Sequence, residues 1–158
     1  MIRPARDDDF PAIAAITNHY IATTAIHFGY EPVTAADLRA QVRHYPWLVD
    51  DDDGIQGYAK AGPWRDRAAY ARTCETGIYL APGATGRGRG TALYRALIGS
   101  LGDFHSIVAG VALPNDASIA MHRKLGFQDA GVIRDAGFKF DRWHDVAFFQ
   151  LMLTAAGS

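Results

Sequence analysis

Thr85-Gly86-Arg87-Gly88-Arg89-Gly90 is the segment that most restricts what this chain can fold into. It follows a strand-like run over residues 73–80, closed by Pro82-Gly83, and it precedes the clearest helical pattern in the sequence. Over residues 88–101, Leu93, Ala96, Leu97 and Leu101 recur as one apolar stripe. Strand, glycine loop and helix together form a building unit of α/β architecture. Three glycines on alternate positions open backbone conformations closed to other residues and let a ligand approach the amides closely. At a helix N-terminus such amides form an anion site, and Arg87 and Arg89 add charge to it. A pyrophosphate suits that site; a flexible basic turn without a ligand is the competing reading. Two other phosphate motifs fail. Gly83 and Gly88 have P-loop spacing, but Arg89-Gly90 follows where Lys and Ser/Thr are required. The G-x-G-x-x-G fingerprint fails as well, because Thr91 and Leu93 occupy the positions of its third glycine.

The remaining elements place this unit in one sheet. Residues 2–5 predict a short strand, and residues 7–21 a helix on which Phe10, Ile13, Ile16 or Thr17, and Tyr20 share a face. Thr34, with Asp37 three residues on, predicts the N-cap of a second helix over residues 34–45. Residues 47–51 and 55–60 pair as strands through Asp52-Asp53-Gly54, and residues 62–72 form a polar loop. Residues 106–113 make a β-branched strand ended by Pro114, and Asn115 caps a helix that runs to Leu125 and ends at Gly126. Residues 127–133 and 146–152 are the closing strands. The order β-α-α-β-β-β-α-β-α-β-β implies a single domain over residues 1–158 of the α/β (α+β) class, with a central mixed sheet flanked by helices.

Composition narrows the function classes. A formal net charge of −1 gives no basic patch for nucleic acid. Residues 1–10 carry no apolar signal region, and no stretch is long and apolar enough to cross a membrane. The single cysteine, Cys74, rules out an internal disulfide or a cysteine-rich zinc site, so a reducing cytoplasm is expected and no metal.

A second constellation lies downstream. Asn115, Ser118 and His122 are spaced by three and four residues and so share one helix face. Asn115 can be only a cap, Ser118 only a first-turn residue, and His122 only a surface histidine. Together with the glycine loop, however, the run Asn115-x-x-Ser118-x-x-x-His122-x-Lys124-x-Gly126-Phe127 resembles the GNAT acetyltransferase superfamily. The loop itself is similar to that superfamily's R/Q-x-x-G-x-G/A pyrophosphate loop, with Thr85 departing from the usual Arg or Gln. The resemblance extends over nearly the whole chain and is nearest to the phosphinothricin and methionine sulfone N-acetyltransferase branch. It is carried by Asn18-His19-Tyr20-Ile21, Tyr45-Pro46-Trp47-Leu48-Val49, Ala61-Gly62-Pro63-Trp64-Arg65, Ala69-Tyr70, Ala112-Leu113-Pro114-Asn115-Asp116 and residues 137–146.

The resemblance implies a GNAT fold and transfer of an acetyl group from acetyl-CoA to a small amino-acid-like amine of the phosphinothricin, methionine sulfone or methionine sulfoximine type. It implies acetyl-CoA contacts from Ile78, Tyr79, Leu80, Gly86, Arg87, Gly88, Arg89, Gly90, Thr91, Asn115, Ser118 and Lys124, and a homodimer. It also implies Glu75 as general base and His122 in the place of the proton donor to the departing thiolate, with Tyr79 as the alternative donor. The chemistry of Glu75 fits independently, since an amine must lose a proton before it attacks a thioester. Strand alternation puts Glu75, Gly77 and Tyr79 on one face and Cys74, Thr76, Ile78 and Leu80 on the other. The competing reading makes Glu75 an edge salt-bridge residue with Arg72. Cys74 reads as a packing residue, which leaves direct transfer without an acyl-enzyme. Phe28, Trp64, Arg65, Tyr70, Arg72, Lys139 and Trp143 are the candidate acceptor-pocket residues, with Trp143 and Phe138 leaning structural. Acetylation of peptides or other amines, and a non-catalytic acyl-CoA-binding protein, are the alternative functions.

Overall fold

The computed structural model describes residues 1–153. Seven strands form one sheet in the order β1-β2-β3-β4-β5-β7-β6. They are β1 (Ile2–Pro4), β2 (Trp47–Asp51), β3 (Ile55–Pro63), β4 (Thr73–Leu80), β5 (Ser106–Ala112), β6 (Gln128–Lys139) and β7 (Arg142–Met152). All neighbouring pairs are antiparallel except β4 and β5. The helices are α1 (Phe10–Thr23), α2 (Ala35–Gln41), α3 (Arg89–Gly99) and α4 (Asp116–Lys124).

Alternation along the strands divides the core into two layers. Leu48, Ala59, Ala61, Cys74, Ile107, Ala109 and Phe149 pack beneath Leu93, Tyr94, Leu97 and Leu101 of the α3 segment. Trp47, Val49 and Tyr58 face the other way, against Phe10, Ile13 and Ile16 of α1 and Leu38 of α2. At about 25 cal/mol per Å² of apolar area removed from water, these two layers dominate the stability of the fold. Two hydroxyl pairs join helices to the sheet within them: Thr17 with Tyr58, and Thr76 with Tyr94, both at 2.6 Å.

Local chemistry explains most boundaries and several departures from the sequence reading. Thr34 and Asp37 form the expected capping box. That helix ends at Gln41, four residues early, because Arg43 adopts φ +48° and turns the chain toward β2. An acidic 3-10 turn, Asp7–Asp9, precedes α1, with Asp9 held by Arg3. Strand β3 continues through Gly62 and Pro63, which the sequence placed in a loop. Both residues pair with β4, opposite Glu75 and Cys74. The largest difference is at the end of the chain, where β6 and β7 are 12 and 11 residues long and form one long hairpin. The sequence reading left residues 134–145 outside any strand. The hairpin tip uses Phe140 and Asp141 at φ +53° and +56°, conformations that few residues adopt and that no glycine marks.

Candidate active site

The site begins where strand pairing stops. Strands β4 and β5 are joined only through Thr73, Cys74 and Glu75, opposite Ser106, Ile107 and Val108. Beyond Glu75 the two parallel strands diverge, and two cavities enter the gap from opposite sides. One of about 360 Å³ lies toward α3 and α4, and one of about 750 Å³ lies beside α2 and the 26–28 segment. They share Ile26, Thr76, Gly77, Tyr79, Gly110 and Ala112. Two ligands entering from opposite faces would therefore meet at Gly77 and Tyr79.

The smaller cavity has the glycine loop at one end. Gly86 and Gly88 sit at φ +83° and +75°, where a side chain is strained, and Gly88 is the N-cap of α3. Their amides stand at a helix N-terminus, in the geometry suited to a phosphate anion. Ile78, Tyr79, Leu80, Gly86, Gly88, Gly90, Thr91, Asn115 and Ser118 all line this cavity, as the sequence reading has them. Asn115 also acts as a cap, its side-chain oxygen accepting the Ser118 N–H at 3.2 Å. Arg89 requires correction. Its guanidinium donates to Asp50 at 2.8 Å and also to Asp52, so its charge is spent tying α3 to β2 and the turn after it. Arg87 and Lys124 are exposed and lie outside the cavity wall.

His122 lines the same cavity but is 3% exposed. Its ring stacks on Phe149 at 5.4 Å and meets Tyr94 and Phe127 edge-on. Nδ1 lies 2.7 Å from the Ser118 carbonyl oxygen, which accepts only, so Nδ1 carries the proton. Burial pushes the ring below the ordinary histidine pKa, with the Ser118 bond opposing. A neutral ring protonated on Nδ1 has a bare Nε2, which accepts a proton and does not donate one. The expected donor role of His122 is corrected on that ground. Cys74 is fully buried on the opposite face of β4 from Glu75, and burial pushes its thiol up to about 11.

Glu75 lines the larger cavity and its side chain is exposed to it. Burial pushes its carboxyl above the usual glutamate value, with Lys60 and Arg65 opposing. It makes no ion pair among the described residues, so the competing reading, a salt bridge with Arg72, finds no support. Tyr79 packs against Tyr58, Tyr20 and His27, and burial together with the field of Glu75 pushes its hydroxyl up to about 12. That hydroxyl makes no hydrogen bond to protein among the described residues.

The expected acceptor residues divide. Phe28 lines the larger cavity. Trp64 instead packs edge-on against Phe148, a wall residue, and Arg65 lies over Trp64 at 4.9 Å, close enough to act on Glu75 through its charge. Tyr70 and Arg72 are exposed and off the wall, because the 3-10 turn Ala68–Tyr70 carries that segment away. Lys139 is buried and structural. Its ammonium donates to the Ile21 and His27 carbonyls, at 2.7 and 2.6 Å. Phe138 and Trp143 stack on each other at the surface. The sequence reading missed Lys60 and His27. A lysine amid Tyr58-Ala59-Lys60-Ala61-Gly62 was a legible signal, whereas His27 belongs to no pattern.

Comparison with known proteins agrees with this geometry. The model of the acetyltransferase (GNAT) domain matches residues 2–148. The phosphinothricin N-acetyltransferase of Streptomyces viridochromogenes is 42% identical, over 94% of this chain and 85% of that protein. The L-methionine sulfoximine/L-methionine sulfone acetyltransferase of Pseudomonas aeruginosa is 37% identical, over 96% of this chain and 94% of its own length. The solved structure of yncA from Salmonella typhimurium with its cofactor acetyl-CoA superposes with a TM-score of 0.95. It is 34% identical, over 100% of this chain and 96% of that one.

Proposed function

We infer that this chain, which belongs to the GNAT acetyltransferase family, transfers the acetyl group of acetyl-CoA to the primary amine of a small amino-acid-like substrate. Its relatives' names point to acceptors of the phosphinothricin, methionine sulfone and methionine sulfoximine kind. Acetyl-CoA, when bound, supplies the activated acyl group. The glycine loop suits its pyrophosphate, and the cavity from Gly86 to Ser118 offers its arm a wall of both polar and apolar groups.

The reading rests above all on the two cavities meeting at Gly77 and Tyr79, with the Glu75 carboxylate on the acceptor side. Glu75 accepts the proton that the acceptor ammonium must lose before its lone pair can attack, directly or through one water. Its raised pKa makes it a better base than a glutamate at its ordinary value. The Tyr79 hydroxyl, with no protein acceptor among the described residues, donates the proton to the departing sulfur. His122 closes the wall at the thiol end. Transfer is direct, since the one cysteine is buried on the far face of β4. Purified protein incubated with acetyl-CoA and the three acceptors, with thiol release followed, tests this; acetyl-CoA binding without turnover of any of them overturns it.

Two coarser expectations complete the proposal. The edge strand β6 exposes Val132, Ile133 and Phe138, and β7 exposes Trp143, an apolar surface suited to a second copy of the chain. No helix among the described residues is long and apolar enough to cross a membrane, and a cytoplasmic location would supply acetyl-CoA.

A further inference from the structure

Lys60 stands at the centre of β3, opposite Trp47 on β2 and Gly77 on β4. Its side chain extends over Gly77, where a Cβ would lie 3.8 Å from Lys60 Cε and 3.9 Å from Cγ. The lysine stem therefore lies in van der Waals range of the Gly77 position. Nζ lies 5.1 Å from the centre of the Trp47 ring, and its hydrogen bond, to Gln41 Oε1, is a long one at 3.4 Å. No carboxylate pairs with it among the described residues, although Glu75 stands on the same face of the sheet and lines the same cavity. Burial lowers the lysine pKa and Glu75 opposes that shift, so a charged ammonium at this place carries a desolvation cost that an anionic partner would offset. A half-buried cation with one weak neutral partner is incompletely satisfied in the free protein.

His27 adds a donor to the same wall. Its Nδ1 accepts the Gly29 N–H at 2.9 Å, so the neutral ring carries its proton on Nε2. The cavity wall therefore offers an acceptor of protons, Glu75, together with a cation and a neutral donor. That arrangement complements a molecule with an amine at one end and an anion a few bonds away.

The geometry points to Lys60 as the residue that holds the carboxylate of the acceptor, making the enzyme selective for α-amino acids over the corresponding simple amines. This rests on the N-acetyltransferase reading and names the group by which that site recognises its substrate. The experiment compares L-methionine sulfone with its decarboxylated counterpart, 3-(methylsulfonyl)propan-1-amine, in wild-type, Lys60→Met and Lys60→Arg enzymes. Lys60→Met is expected to lower kcat/KM for the amino acid by about 10- to 100-fold, chiefly through KM, the size of one lost charge-assisted hydrogen bond. The amine should change by less than about threefold, and Lys60→Arg should recover part of the loss. An equal fall on both acceptors would make Lys60 a tuner of Glu75 or a structural residue and overturn the inference, as would no change on the amino acid. An unchanged KM for acetyl-CoA establishes that the variants are folded. A wild-type enzyme that acetylates neither compound overturns the N-acetyltransferase reading itself, whereas turnover without the differential effect overturns the role of Lys60 alone.

Discussion

Burial acts in opposite directions on the two acid–base groups beside the cavity junction, raising Glu75 and lowering His122. For Glu75 the consequence is kinetic. The acid limb of the kcat/KM profile reports protonation of the free enzyme's base, so it should fall at a higher pH than an ordinary glutamate would give. Glu75→Gln should abolish that limb and lower kcat by about 10²- to 10⁴-fold with little change in KM for acetyl-CoA. Tyr79→Phe should lower kcat on the order of 10²-fold, whereas His122→Phe, close in volume, should stay within severalfold of wild type. For His122 the consequence is thermodynamic. Its folded pKa lies below the unfolded value, so its contribution to stability is present above the unfolded pKa of about 6.5 and is lost as pH falls through the folded value. His27 shifts the same way, and Glu75, raised, works against both at lower pH. Urea titrations should show stability declining below neutrality, and His122→Phe should make that decline shallower; an unchanged slope would contradict the assignment. Gly86, Gly88, Asn115 and Ser118 were singled out by motifs of fixed spacing, Glu75 by resemblance and strand alternation, and all five line the two cavities. Arg89 and Lys139 were misread because a charge in a sequence does not reveal its partner. Arg89 meets carboxylates 37 and 39 residues away, and Lys139 meets carbonyls more than 100 residues away.

At the scale of elements, the segment between α1 and α2 is a strap laid across the β6–β7 hairpin. Lys139 holds the last turn of α1 at the Ile21 carbonyl and the strap itself at the His27 carbonyl, and the Tyr30 hydroxyl donates to the Phe138 carbonyl. Phe28 rests on Gly137, where a Cβ would fall 2.3 Å from its ring. The hairpin thereby sets the position of Ile26, His27 and Phe28 on the acceptor wall. Gly137→Ala should displace Phe28 and raise KM for the acceptor about tenfold, with KM for acetyl-CoA unchanged. Gly137→Ala combined with Phe28→Ala should then be no worse than Phe28→Ala alone, a non-additivity expected of residues in contact. Lys139→Met leaves two carbonyls without a donor and should cost about 1–3 kcal/mol in chemical denaturation. Residues 134–145 of the hairpin escaped the sequence reading because both faces of β6 are exposed except near its end, so no alternation of apolar and polar residues marks them. Its bulges, at Asp129–Gly131 and Ile133–Gly137, also break the period of two. Strands β2, β4 and β5, each packed against a helical layer, kept that signal and were located to within one residue.

For the whole molecule, the sheet order follows from two constraints, burial on both faces at β2 and β3 and a gap at the one parallel junction. The α3 layer covers one face of β2, β3, β4 and β5, and α1 with α2 covers the other face of β2 and β3, while the remaining face of β4 and β5 borders the larger cavity. The hairpin extends past that cover, and Val132, Ile133, Phe138 and Trp143 stand exposed at 56%, 55%, 46% and 58%. Water-exposed apolar groups in such number on one element favour association. The bulged edge of β6 discourages pairing with another strand through the backbone. Association should therefore run through side chains, with Phe138 and Trp143, opposite each other in register, as its centre. Ile133 also lines the acceptor cavity, so a second copy against β6 would complete a wall that one chain leaves open. Sedimentation velocity at micromolar concentration should give a dimer for wild type and a monomer for the doubly substituted Val132→Glu, Trp143→Glu protein. The monomer should bind acetyl-CoA as wild type does, because the glycine loop is on the far side of the sheet's central gap, while its KM for the acceptor rises severalfold. A wild-type protein that sediments as a monomer, or a variant monomer with unchanged acceptor KM, would separate the exposed hairpin from catalysis.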